Sequence, residues 1–80
     1  MKAKIFISLK DGILDPQGST VNKALDSIGI NVINSIRIGK YIEMDFDNID
    51  KDTIRSIVKS SCDKLLVNPN TETYSFEIEE

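Results

Sequence analysis

Val32-Ile33-Asn34-Ser35-Ile36-Arg37-Ile38-Gly39-Lys40-Tyr41-Ile42-Glu43-Met44-Asp45-Phe46 is the stretch whose reading decides the fold. Val32, Asn34, Ile36 and Ile38 form one alternating set; Ile42, Met44 and Phe46 form a second of the same parity, with Gly39-Lys40 between them. Period-two alternation is the signature of half-buried strand. A two-residue turn at Gly39-Lys40 sets apolar Ile36 opposite charged Glu43. A three-residue Gly39-Lys40-Tyr41 loop instead pairs Ile38 with Ile42, Ile36 with Met44 and Arg37 with Glu43. That hairpin satisfies both faces and is the preferred reading. The shared parity also permits one long strand with a bulge at Gly39.

Working outward, Lys2 to Lys10 (KAKIFISLK) alternates as well, with Ala3, Ile5, Ile7 and Leu9 on one side and Lys4, Phe6, Ser8 and Lys10 on the other. Asp11-Gly12 breaks this strand, because glycine accepts the positive φ of a tight exit. Asp15-Pro16 reads as a helix start, a capping carboxylate before a proline whose missing N–H costs nothing there. Val21, Ala24, Leu25 and Ile28 make one apolar stripe, and Gly29 ends the helix as a left-handed cap. Gly18 in the first turn costs ~1 kcal/mol relative to alanine, and one explanation is close approach of another backbone.

Asp47-Asn48-Ile49-Asp50 reads as loop and cap. A second helix follows, with Ile54, Ile57, Val58, Ser61 and Leu65 on one face; it ends near Leu66, and Asn68-Pro69 forbids its continuation. Thr73 to Ile78 is the last strand, with Tyr74, Phe76 and Ile78 inward. The order strand, helix, strand, strand, helix, strand predicts an α+β, ferredoxin-like βαββαβ sandwich. It has a four-stranded antiparallel sheet with both helices on one face, all in one domain over residues 1–80. The opposite, open face is expected to carry Phe6, Ser8, Arg37, Tyr41, Glu43, Ser75 and Glu77. Such faces with open edges commonly serve as contacts between chains.

The 80 residues have a mass of 9.0 kDa and bury only a two-layer core, so a partner surface is expected early. The chain holds no histidine and no tryptophan, which excludes His-based triads and His-bearing metal sites. Its single cysteine, Cys62, excludes an internal disulfide and a zinc cluster. Net charge −3 and pI ≈ 4.8 argue against nucleic acid or an anionic membrane as the main partner. Apolar runs of two or three residues cannot span a membrane, and a reducing cytoplasm is the expected compartment.

No assembled chemistry is expected. Cys62 lies on the shoulder of an apolar stripe and reads as a packed structural thiol. Asp45, Asp47, Asp50 and Asp52 lack the glycine and closing glutamate of a calcium loop and read as solvated and capping acids, so neither metal nor cofactor is assigned to this chain. Asp11-Gly12 and Gly39-Lys40 are single turn glycines, not phosphate loops. Arg37 and Lys40 suit a salt bridge to a partner. Phe6 and Tyr41 resemble the base-stacking aromatics of RNA binders on this fold, but the acidic charge and missing glycine–aromatic motif favour packing or an interface.

Three segments together resemble one family. They are Lys10-Asp11-Gly12-Ile13-Leu14-Asp15-Pro16-Gln17-Gly18, Ile36-Arg37-Ile38-Gly39-Lys40-Tyr41-Ile42, and Leu65-Leu66-Val67-Asn68-Pro69 followed by Glu72. In order and at this spacing they are similar to PurS, the small subunit of phosphoribosylformylglycinamidine synthase. Asn70-Thr71 departs from the family's usual apolar pair. The resemblance implies a non-catalytic subunit of a complex that makes formylglycinamidine ribonucleotide for purine synthesis. ATP and Mg are used by that complex, not by this chain. The implied partners are a second copy (dimer or tetramer), the glutaminase PurQ, which releases ammonia, and the synthetase PurL, which consumes it; PurS bridges them and supports the transfer. Gly12, Asp15, Pro16, Gly18, Asn68 and Pro69 match the family motifs as turn, cap and helix-stop residues. Arg37, Gly39, Lys40, Tyr41 and Phe6 are the candidate subunit contacts. The plan hosts many functions, and a small dimeric ligand-binding regulatory module of the same fold is the alternative.

Overall fold

In the computed structural model, which describes all of residues 1–80, β1 (Lys2–Leu9) leads into α1 (Pro16–Ser27), β2 (Lys40–Asp45), α2 (Lys51–Ser61) and β3 (Glu72–Glu79). The central strand is β1, antiparallel to both neighbours in the order β2-β1-β3. Ile5 lies opposite Ile42 and Phe76, and Phe6 opposite Tyr41 and Ser75, so the alternation read from the sequence sets the faces as expected. The architecture is α+β and ferredoxin-like, with one strand of the βαββαβ order absent.

One face of β1 makes the core. Ala3, Ile5 and Ile7 are buried with Ile54 and Val58 of α2 and with Cys62 just beyond it, and Val67 closes the end. Asp50 caps α2, its carboxylate accepting from Thr53 N–H (3.0 Å) and Thr53 Oγ1–H (2.7 Å). Buried positions recur at intervals of four from Ile54 to Cys62 and then jump five to Val67. The cause is a π-helical turn over Cys62–Leu66, in which Val67 N–H donates to the Cys62 carbonyl at 3.1 Å. The wider turn shifts the helix phase by one residue. Leu66 and Val67 therefore meet the core, and Leu65, expected inside, is 83% exposed.

The sheet has three strands, not four. The expected Val32–Ile38 strand and its hairpin with Ile42–Met44 do not form, and β2 pairs only with β1. Local tethers draw residues 33–38 away from the sheet. Ile38 N–H donates to Asp15 Oδ2 (2.7 Å), and Asn22 Nδ2 donates to the Ile33 carbonyl at 3.5 Å. Gly18 lies directly against the Ile36 backbone, where a Cβ would overlap the carbonyl oxygen and lie 2.8 Å from its carbon. Gly39 lies as closely on the Ile7 carbonyl, so the chain crosses β1 there and enters β2. The close backbone approach suggested for Gly18 is thus present.

Residues 33–38 run antiparallel to α1, and the two make an arm. The expected cover of the sheet by both helices is supplied by α2; in α1 only Gly18 is buried, and Val21 and Ile28 of its apolar stripe are exposed. Asp15 caps α1 through Gly18 N–H (2.8 Å), Pro16 opens it, and Gly29 at φ +96° ends it. The arm makes the molecule long and thin, 49 × 26 × 15 Å, with a radius of gyration of 16.2 Å. A compact chain of this length has about 12 Å. Its accessible surface is 5806 Å², whereas a compact 9.0 kDa monomer exposes about 4,800 Å².

Two outcomes test the arm. Gly18→Ala gains ~1 kcal/mol of helix propensity but drives a Cβ into a backbone that cannot swing aside, a clash worth roughly 1–3 kcal/mol. The variant is expected to lower the urea midpoint; a raised midpoint would show that the arm yields freely. The second outcome concerns pH. Amides of Gly18 and Ile38, in that order, hold the Asp15 carboxyl below its ordinary 3.8. A depressed folded-state value stabilises above the ordinary one and loses that stabilisation as pH falls through the folded value. Asp15→Asn should therefore flatten the loss of stability measured from about pH 6 down to about pH 2, and an unchanged acid limb would count against the clasp.

Candidate functional site

The three separated motifs converge at one end of the sheet. Where β1 ends, the Arg37 guanidinium donates from Nη2 to the carbonyls of Leu9 (2.7 Å) and Lys10 (2.9 Å). Lys10 reaches the third motif, its backbone N–H donating to the Thr71 carbonyl (2.8 Å) and its Nζ to the Pro69 carbonyl (2.6 Å). Asn68 organises the turn into β3. Its N–H donates to Glu72 Oε1 (2.8 Å), its carbonyl accepts from Glu72 N–H (2.8 Å), and its Oδ1 accepts from Asn70 N–H (3.0 Å). Glu72 also faces Lys40 Nζ across the strand end at 3.7 Å. A cleft of about 290 Å³ opens at this junction, walled by Ile7, Leu14, Asp15, Ile38, Lys40 and Glu72.

These groups hold chain to chain. Both Asp15 oxygens accept from backbone amides, and its depressed carboxyl is a poor proton donor. The Cys62 thiol is buried at the C-terminal end of α2 and pushed upward by that burial, with a lesser push from Asp63, which disfavours the thiolate a nucleophile needs. No three side chains of the metal-binding types gather closely enough to hold an ion. The arrangement can fix geometry and present surfaces.

The larger exposed surface is the sheet face away from α2. Phe6 and Tyr41 pack there with ring centroids 5.3 Å apart, both about half exposed. The Tyr41 hydroxyl donates to Glu43 Oε1 at 2.7 Å, which holds the Glu43 carboxyl below its ordinary value, aided by Lys2 at 3.5 Å. Lys4 pairs with Glu79 on the same face, and that contact raises the lysine and lowers the glutamate. The face thus has an aromatic end and a charge-laced end where Glu43, Asp45, Glu77 and Glu79 outnumber Lys2 and Lys4.

Of the candidate contact residues, Phe6 and Tyr41 share this face as expected. Lys40 does not: its parity puts it with Ile7 on the covered side, beside Glu72. Arg37, expected on the open face, lies off the sheet, its guanidinium on two carbonyls, and Gly39 serves the chain crossing. Gly12 takes φ +83° in the exit turn. At Asn70-Thr71 the junction is made by backbone groups, so the departure from apolar side chains leaves its hydrogen bonds in place. Sequence reasoning missed the second task of Asp15, to bind an amide 23 residues away. No local spacing marks such a contact.

Comparison with known proteins agrees with this geometry. The family model "PurS: Phosphoribosylformylglycinamidine (FGAM) synthase" matches residues 2–80. The chain is 46% identical over 79 residues to the synthase subunit PurS of Bacillus subtilis, covering 99% of this chain and 93% of that protein. A solved B. subtilis PurS structure superposes with a TM-score of 0.87, covering 99% of this chain and 98% of the other. Methanocaldococcus jannaschii PurS, 32% identical, gives 0.88 with 99% and 95% covered. A chain in the Thermotoga maritima PurLQS structure, 30% identical, gives 0.85 with 95% and 93% covered. On full-length similarity in sequence and fold, and on three motifs that build one junction, this chain belongs to the PurS family of phosphoribosylformylglycinamidine synthase subunits.

Proposed function

We propose that the chain bridges the glutaminase PurQ and the ATP-dependent synthetase PurL, and that it supports ammonia transfer between them. The observation that carries this reading is the likeness to a chain of the T. maritima PurLQS structure over 95% of its length. The physical case is consistent with it. Ammonia released into neutral water is mostly protonated, and ammonium is no nucleophile, so excluding water between the two sites preserves reactivity. A thin domain with motif residues fixed in a junction and a half-aromatic open face suits that task. In this scheme ATP and Mg act on PurL, and a reducing cytoplasm keeps the Cys62 thiol free.

Phe6 and Tyr41 are the contacts this reading favours, because both are exposed and held on a rigid sheet. Arg37 and Gly39 act indirectly by placing the arm, and Lys40 by closing the junction to Glu72.

Reconstitution tests the proposal. Adding the chain to PurL and PurQ should raise glutamine-dependent synthesis by roughly an order of magnitude, and leave ammonium-driven synthesis unchanged. Tyr41→Glu should keep the fold by circular dichroism while losing co-elution with the larger subunits. Full glutamine-dependent activity without the chain, or glutamine hydrolysis by the chain alone, would refute the bridging role.

A further inference from the structure

The outer edge of β2 and the run of chain beside α1 are both left with unpaired backbone groups. Phe46 and Met1 exchange both of their N–H···O bonds, and the β1–β2 register alternates from that pair. The N–H and C=O groups of Tyr41, Glu43 and Asp45 therefore point away from β1, to a side where the sheet has no further strand. In the arm, the N–H groups of Asn31 to Arg37 have no partner within the chain. Val32, Ile33, Ile36 and Ile38 make that run β-branched and apolar, a composition that belongs in a sheet. The helices show the same mismatch. α2 lies closer to β3 than to β2, so Ile42, Met44 and Phe46 are only half-buried on the inner face, while α1 leaves Val21 and Ile28 exposed.

We infer that the arm has a second seat on its own sheet. It swings in about Gly12 and Gly39, residues 32–38 add to the free edge of β2, and α1 covers Ile42, Met44 and Phe46 beside α2. Pairing Ile36 with Met44 makes Arg37–Glu43 and Ser35–Asp45 the hydrogen-bonded pairs, and these are residues whose N–H groups stand free in the extended form. The same register puts Ile36 and Ile38 beside Met44 and Ile42 on the inner face. It also brings the Arg37 guanidinium to Glu43 and Asp45, at the end of the outer face where carboxylates exceed lysines. The added strand runs parallel to β1, and a right-handed crossover through α1 lands on the face that α2 already occupies. The area available to be covered is roughly 1,000 Å², the excess over a compact chain. Gly12, at φ +83° with open space about it, leaves the hinge unobstructed. Swinging in breaks the Asp15, Asn22 and Arg37 tethers together and frees Lys40 and Tyr41 from β1 for the turn, so the step is all-or-none and not a local yielding. A chain by itself thereby stows the apolar stripe that the extended form exposes. The inference is independent of PurL and PurQ, because it concerns two packings of one chain.

Ile36→Cys combined with Met44→Cys tests the swing. With the arm out, Arg37 is bound at Leu9 while Met44 lies opposite Ala3, roughly 20 Å away along β1 and far beyond the ~7 Å that a disulfide spans. Mild oxidation of the dilute chain should give a 36–44 bond within one chain, distinguished from Cys62 by peptide mapping. The bonded single chain should scatter with a radius of gyration reduced from 16.2 Å toward about 12 Å. Adding Asp15→Asn keeps the helix cap but loosens the hold on Ile38, and should speed bonding by roughly threefold to tenfold. In the unaltered chain at high dilution, the amides of Ser35, Arg37, Glu43 and Asp45 should be protected from exchange. Failure of the 36–44 bond to form, bonds formed only between chains, or free exchange of those four amides at every dilution would overturn the inference. Exchange in the unaltered chain decides the matter if the double variant fails to fold.

Discussion

One carboxylate joins what the rest of the molecule keeps apart. Asp15 caps α1 with one oxygen and takes the Ile38 amide with the other, so the start of the helix and the approach to β2 are fixed by a single side chain. The close contacts of Gly18 and Gly39 follow from that clasp: with Ile38 pinned, the chain must pass directly over the first turn of α1 and then over the end of β1. Arg37 completes it on the carbonyls that β1 leaves free as its ladder ends. The core under α2 is a separate matter, set by apolar alternation in β1 and by the helix phase.

Much of this was legible in the sequence because it is local. The alternation of Lys2–Lys10 gave the faces of β1, Asp15-Pro16 and Asp50 gave the helix starts, and Asn68-Pro69 gave the stop of α2. The failures have physical causes. Val32–Ile38 has the pattern of a strand, but pattern states a preference for a partner and not where that partner is. A regular 3.6-residue period puts Leu65 inside, but the wider π-helical turn over Cys62–Leu66 turns it out. The contact surface was legible only in part: Phe6 and Tyr41 follow from strand parity, whereas the positions of Arg37 and Lys40 depend on contacts far apart in sequence.

The family motifs acquire a structural meaning from the same contacts. Residues that conventional reading assigns to turns and caps are the ones that meet at the sheet end, where Lys10 binds the Pro69 and Thr71 carbonyls and Glu72 faces Lys40. These residues hold the arm and the sheet end at set angles, a demand on sequence that is separate from any reaction. The junction does this with charge-assisted hydrogen bonds to backbone, which are directional and survive changes in neighbouring side chains such as Asn70 and Thr71.

The slab is 15 Å through its short dimension, and buried residues number 8 of 80. A body so thin has little interior to resist local opening, so a copy left without companions is open to proteolysis more often than one seated against another surface. Its resistance to cleavage is therefore set by what it is seated against as much as by its own core.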